Sequence, residues 1–116
     1  MSINRIEPGP RMSQAVVHGN TVYLAGQIAA NPVPSVARQT KQILGQIDKL
    51  LKAAGTSKAK LLTANIWLTD IRSFAEMNEA WDAWVSPGNT PARATVQATL
   101  AGPQFLVEIM VTAALD

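Results

Sequence analysis

Cysteine is absent from the 116 residues, which excludes a disulfide framework, a thiol nucleophile and a zinc-thiolate centre. Histidine occurs once, as His18, inside a β-type run with no nucleophile motif beside it. Ser-His-Asp hydrolysis therefore has little to build on, and a strand histidine packed at an interface is the better reading. Charge is scarce: 16% of residues are charged and the net charge is +2. Lys41, Lys49, Lys52, Lys58 and Lys60 are dispersed, with no aromatic residues interleaved among them, so no nucleic-acid surface is indicated. Long apolar runs are missing too. No segment approaches the roughly 20 apolar residues of a membrane span, and Met1-Ser2-Ile3-Asn4-Arg5 lacks the continuous apolar stretch of a signal peptide. The expectation is a soluble, cytoplasmic protein with no membrane partner.

What the chain has in excess is apolar surface. Hydrophobic residues make up 47% of a chain whose length suits one domain, 1–116, with a high surface-to-volume ratio. That surplus points to an oligomer.

The clearest local signal is a hairpin, Ala15-Val16-Val17-His18 and Thr21-Val22-Tyr23-Leu24-Ala25 joined by Gly19-Asn20. Ile3 to Ile6 reads as a preceding edge strand ended by Pro8-Gly9-Pro10. After the loop Asn31-Pro32-Val33-Pro34, Ser35 is an N-cap, and Val36, Ile43, Ile47, Leu50, Leu51 and Ala54 follow at helical spacing up to Gly55, a natural C′ residue. Lys41, Lys49 and Lys52 form its solvated face. Leu61 to Thr69 reads as a strand with Leu62, Ala64, Ile66 and Leu68 on one face and Thr63, Asn65 and Trp67 on the other. Asp70 and Ser73 offer caps for a second helix, in which Phe74, Met77, Trp81 and Trp84 make an aromatic packing stripe. Ala92 to Leu100 and Phe105 to Ala114 close the chain as two strands around Ala101-Gly102-Pro103-Gln104. The order β(β)βαβαββ implies an α+β sandwich with both helices on one sheet face.

Arg93 opens the otherwise apolar strand Ala92-Arg93-Ala94-Thr95-Val96, and the last strand holds one acid, Glu108. A guanidinium grips a carboxylate bidentately, so an anionic ligand is one reading of Arg93. A strand-start arginine reaching back to solvent is the other. If the last two strands form a hairpin turning within residues 100–104 with opposed residue numbers summing to 203 or 205, Arg93 lies opposite Met110 or Thr112 and shares a face with Glu108, roughly 7 to 13 Å away, whereas an even sum would put the two on opposite faces. If Val107, Ile109, Val111 and Ala113 face the helices, then Leu106, Glu108, Met110 and Trp67 lie on an uncovered, largely apolar face that a sheet-to-sheet homo-oligomer would bury.

Four stretches together resemble the Rid family of reactive-intermediate deaminases, also called YjgF or RutC-like: Gly19-Asn20-Thr21-Val22-Tyr23-Leu24-Ala25-Gly26-Gln27, Met77-Asn78-Glu79-Ala80-Trp81-Asp82-Ala83-Trp84, Pro91-Ala92-Arg93 and Val107-Glu108-Ile109. Trp81-Asp82-Ala83-Trp84 and Thr95-Val96-Gln97-Ala98 look most like the YoaB-like branch. The resemblance implies a chorismate-mutase-like protomer with a mixed, mostly antiparallel sheet. It also implies a homotrimer with three sites between subunits, a small carboxylate substrate, no metal and no organic cofactor. The implied activity is hydrolysis of enamines or imines such as 2-aminoacrylate to 2-keto acids and ammonia. By position, Arg93 resembles the arginine that binds the substrate carboxylate and Glu108 the acid near the water. The Thr95 backbone carbonyl would help fix that water, and Asn78 resembles a position near the pocket, although a helix-surface or capping asparagine is an equal reading.

This sequence also departs from the pattern. Arg11 and Met12 stand where a tyrosine follows Gly-Pro, Ala25 replaces the serine before Gly-Gln, and Thr95 replaces a cysteine. The missing hydroxyls motivate an alternative, a trimeric carboxylate-metabolite-binding regulatory protein with little catalysis. Chorismate mutase chemistry would need several cations around a dicarboxylate, and only Arg93 and Arg11 are candidates.

Overall fold

Strand β1 (Ile3–Pro8) runs past the expected Ile6 and pairs antiparallel with β2 (Ser13–His18) in a computed structural model that describes residues 1–116. The hairpin forms where Gly19-Asn20 predicts it: β2 pairs antiparallel with β3 (Thr21–Leu24), His18 lies opposite Thr21, and Gly19 takes a φ of 60°. Glycine adopts this left-handed backbone without steric cost.

Helix α1 (Val36–Ala54) starts at the expected cap, where Ser35 Oγ accepts the Arg38 N–H at 3.2 Å. It ends in a Schellman arrangement. Gly55 has a φ of 91°, its N–H reaches the Lys52 carbonyl at 3.1 Å, and the Thr56 N–H reaches that of Leu51 at 2.9 Å. Ile43, Leu44, Ile47, Leu50 and Leu51 are buried against the sheet, and Lys41, Lys49 and Lys52 are exposed. Burying each of these apolar side chains stabilises the fold by about 1.5–3 kcal/mol before entropy is counted.

After β4 (Leu61–Leu68), Asp70 Oδ1 accepts the Arg72 N–H at 2.9 Å and caps the single turn Ile71–Ser73, which leads into α2 (Phe74–Trp84). Ser73 does not cap α2 as expected; its hydroxyl donates to the Asp70 carbonyl at 2.6 Å. Along α2, Met77 and Trp81 are buried, while Phe74 is 43% exposed and the half-buried Trp84 donates its indole N–H to Asp48 at 3.0 Å. The stripe is thus core at its centre, exposed at Phe74 and packed against the edge of the core at Trp84.

Strands β5 (Ala92–Gln97) and β6 (Val107–Ala114) are shorter than the apolar runs suggest. The six strands form one sheet in the order β1-β2-β3-β6-β4-β5, with β4 and β5 parallel and every other pair antiparallel. The element order and the two helices over one face agree with the expectation. The closing hairpin does not form. Residues 98–106 carry the chain back across the end of β4, so that β6 lies between β3 and β4. The reason lies in the residues that face inward. Val107, Ile109, Val111 and Ala113 are all fully buried, which requires a neighbour on each side and helices above. The polar Arg93, Thr95 and Gln97 on the corresponding side of β5 suit an edge.

One register shift alters the expected faces of β4. Leu61 pairs with Ala113 but Thr63 pairs with Thr112, so a bulge turns Leu62 outward and buries Leu61 in its place. From Ala64 onward the alternation holds, with Ala64, Ile66 and Leu68 inward. The second sheet face carries no helix. Val16, Tyr23, Trp67, Met110 and Val96 lie on it, with Tyr23 48% and Val96 50% exposed.

Candidate active site

Arg93 is aligned with Ala64 of β4, which is in turn aligned with Val111 of β6. Paired residues share a face, so the Arg93 side chain leaves the sheet on the side of the helices. It meets α2 there. Its guanidinium carbon lies 5.2 Å from the centroid of the Trp81 ring and 5.8 Å from that of Phe74, distances at which ring faces attract a cation. Burial lowers its pKa and the Asp82 carboxylate opposes that shift. The group stays charged, since arginine titrates far above neutrality. The only ion pair in the chain is Arg72 with Asp70 on the surface. Arg93 is therefore a half-buried cation, held by two rings, with its hydrogen-bonding fork unmatched by any carboxylate of its own chain. A small carboxylate ligand would supply that match.

Glu108 is aligned with Trp67 and projects from the open face. The segment following β3 runs past it. Tyr23 is aligned with Thr112, but Gln27 bridges Ile109, so four residues on one side span three on the other. This bulge brings Gly26 against the Glu108 carboxylate, and a Cβ at residue 26 would overlap Glu108 Oε2. Glycine is required here by close approach. Burial raises the Glu108 pKa. A carboxyl group shifted toward neutrality can both take and return a proton, as general acid-base chemistry requires.

The two residues do not share a face. The expected closing hairpin would have aligned Arg93 with Met110 or Thr112; with β4 interposed, Arg93 is in line with Val111 instead. Within one chain the sheet separates Arg93 from Glu108. Thr95 is aligned with Ile66 and so lies on the Arg93 side, with its hydroxyl buried and without a hydrogen-bond partner. Asn78 is half-buried on α2, four residues after Phe74 and three before Trp81, hence on the same side of the helix as both rings. Arg11 is exposed in the turn between β1 and β2. No cluster of three or more acidic, histidine or cysteine side chains forms that could hold a metal ion.

The helical spacing of Phe74 and Trp81 predicts packing and not a seat for Arg93, and the contact between Gly26 and Glu108 is not among the expectations. The signal for that contact was a Gly-Gln pair directly after a strand, where a bulge is one of the uses of glycine.

Residues 2–115 match the family described as Endoribonuclease L-PSP. The chain belongs to this family. Within the Endoribonuclease L-PSP family it is 44% identical over 115 residues to the RutC family protein YoaB of Escherichia coli strain K12, covering 99% of this chain and 100% of that one. It is 36% identical over 103 residues to the 2-iminobutanoate/2-iminopropanoate deaminase of Rattus norvegicus, covering 84% of this chain and 74% of the rat protein. A member of the YjgF protein family from Neisseria meningitidis superposes with a TM-score of 0.97 at 44% identity, covering 100% of this chain and 97% of that one. The α+β sandwich is accordingly the chorismate-mutase-like fold of YjgF family structures. The family includes imine deaminases. No helix of the chain is long and apolar enough to cross a membrane.

Proposed function

We propose that this protein is a cofactor-independent enamine/imine deaminase that hydrolyses small 2-imino acids, such as the tautomer of 2-aminoacrylate, to 2-keto acids and ammonia. The observation that carries this reading is Arg93, a half-buried guanidinium flanked by Trp81 and Phe74 with no carboxylate partner. The named activity of the rat relative supports it. An apolar open sheet face, rather than a basic one, favours it over the ribonuclease activity in the family's description.

The chemistry needs little machinery. The substrate carboxylate pairs with Arg93, which orients the C=N bond. Protonation of the imine nitrogen makes the carbon electrophilic, and Glu108 removes a proton from the attacking water as the C–O bond forms. The resulting carbinolamine carries the amine on the same carbon. Return of that proton from Glu108 to nitrogen lets ammonia leave as the C–N bond breaks, and the carbinolamine hydroxyl gives up its own proton to solvent as the carbonyl forms, which balances the proton the imine first took from solvent and leaves the keto acid and ammonia. The raised pKa of Glu108 suits this two-way traffic. Thr95, with its unpartnered hydroxyl on the same sheet face as Arg93, and Asn78 on the adjoining helix would line the carboxylate end.

A substrate of a few atoms cannot touch both faces of a sheet. The reading therefore requires Arg93 of one chain and Glu108 of another, in a homotrimer whose open apolar faces are buried against one another. We place this assembly in the cytoplasm. The missing tyrosine and serine hydroxyls, at Arg11-Met12 and Ala25, motivate a second reading, a trimer that binds 2-keto acids and regulates a partner. The deciding experiment generates 2-aminoacrylate in situ and follows ammonia and pyruvate release. Acceleration over buffer that is lost in Arg93→Ala supports the deaminase. Tight Arg93-dependent binding of a 2-keto acid without turnover supports the regulator.

A further inference from the structure

Gln27 is only 6% exposed. Burying a primary amide is costly unless its donors and acceptor are matched, and here each is. Gln27 Nε2 donates to Gln14 Oε1 at 3.0 Å and to the Ala25 carbonyl at 3.1 Å, while its Oε1 accepts from Gln46 Nε2 at 3.2 Å. Gln46, on α1, donates in addition to the Ile28 carbonyl at 2.9 Å and accepts the Ala30 N–H at 3.0 Å. The three amides link β2, the segment after β3 and α1 into one hydrogen-bonded chain.

Space filling alone does not explain this arrangement, because a methionine would occupy the volume without needing partners. What the chain of amides holds is a bulge. On the backbone of that segment, the Ala25 N–H donates to the Gln14 carbonyl at 2.9 Å, the Gln27 N–H to the Ile109 carbonyl at 2.8 Å, and the Ile109 N–H to the Gln27 carbonyl at 3.1 Å. Gly26 lies between these tied points, against the carboxylate of Glu108. A residue inserted into a ladder lacks the regular pairing of its neighbours, so the side-chain amides supply the restraint that the ladder omits there.

We propose that Gln27 is a positioning residue for Glu108: with Gln14 and Gln46 it clamps the bulged segment 25–27 so that the Gly26 backbone covers one side of the Glu108 carboxylate. The clamp stands on geometry alone, and its catalytic consequence rests on the reading of Glu108 as the group that handles water. Loosening the clamp lets Gly26 retreat and solvent reach the carboxylate. Burial is the only cause that raises the Glu108 pKa, with no charged group of the chain contributing, so solvent access returns it toward the ordinary glutamate range.

Gln27→Met and Gln46→Met proteins are compared with wild type, after circular dichroism and light scattering establish that fold and assembly are retained. In Gln27→Met the backbone N–H groups of residue 27 and Ile109 are expected to exchange with solvent roughly tenfold faster or more. Carboxyl ¹³C spectra should show Glu108 titrating at lower pH than in wild type, and kcat on 2-aminoacrylate should fall about tenfold with KM changed by less than about twofold. Gln46→Met, which removes one arm, should give smaller effects in the same directions, and it carries the test if Gln27→Met does not fold. An unshifted Glu108 titration in a folded variant overturns the proposal, as does a rise in KM with kcat intact. A wild-type protein without turnover sinks the deaminase reading alone, because exchange and titration decide the clamp without substrate.

Discussion

Arg93 and Glu108 leave the same sheet on opposite faces, Arg93 toward the rings of Trp81 and Phe74 and Glu108 into the open face beside Trp67. One chain therefore holds two halves of two proposed sites. Mixing inactive Arg93→Ala and inactive Glu108→Gln chains by unfolding and refolding together is expected to restore activity. If the chains assemble at random into the proposed homotrimer, about a quarter of its inter-subunit sites would draw an intact arginine and an intact glutamate from different chains. Recovery of no activity from well-formed mixed trimers would rule out a shared site.

The seat beneath Arg93 predicts a separation of effects. Arg93→Lys loses the planar fork and its stacking on the rings, so kcat/KM should fall about a hundredfold, nearly as far as in Arg93→Ala. Phe74 is 43% exposed, so Phe74→Ala should leave the melting temperature within about 3 °C of wild type while raising KM through a less restrained guanidinium. Trp81→Ala, at a buried position, should cost about 3–5 kcal/mol of stability. Steady-state kinetics and thermal melts on the three proteins check this, and an unchanged KM in Phe74→Ala would show that the rings do not hold the guanidinium.

The sign of the Glu108 shift sets a pH dependence of stability. Its folded-state pKa lies above the ordinary glutamate value because burial disfavours the carboxylate. The folded protein thus binds the proton more tightly than the unfolded chain, and this residue's contribution becomes less favourable as pH rises from the ordinary value through the raised one. Glu108→Gln is expected to raise the melting temperature at neutral pH by a small amount, on the order of 1 to 3 °C once solvent screening is allowed for. The gain should vanish in acid, below the ordinary glutamate pKa. A gain that persists at acid pH would place its origin elsewhere.

Gly26 offers a test by coupling. In Gly26→Ala the new methyl group must displace Glu108 Oε2, at an expected cost of about 1–3 kcal/mol. Removing the obstacle should remove most of the cost, so the Gly26→Ala substitution made in a Glu108→Ala background should be nearly neutral. Urea denaturation of the four proteins measures the coupling. Additive effects would mean that the contact does not restrain residue 26.

Much of the fold was legible in local signals. Ser35 and Gly55 bound α1 at the expected positions because caps act within one turn, and Gly19-Asn20 placed the hairpin because its geometry is set by adjacent residues. Leu62 was misplaced by a bulge that depends on how β4 meets β6, a partner about fifty residues away. The candidate site was half legible. Arg93 and Glu108 stand out as lone charges in apolar strands, but the face each occupies depends on strand order. Gly26 and Gln27 were marked only as a Gly-Gln pair after a strand, and their roles come from Gln14, Gln46 and Glu108, which the fold brings to them.

The sequence by itself determined the elements, the burial of one face of each, and the family, because periodicity, caps and short motifs are properties of neighbouring residues. Only the tertiary structure decided that β6 enters between β3 and β4. Residues 98–106 can turn back tightly or cross β4, and the choice falls to the burial of Val107, Ile109, Val111 and Ala113 between two neighbours. That choice sends Arg93 and Glu108 to opposite faces, and with them the shape of any site they share.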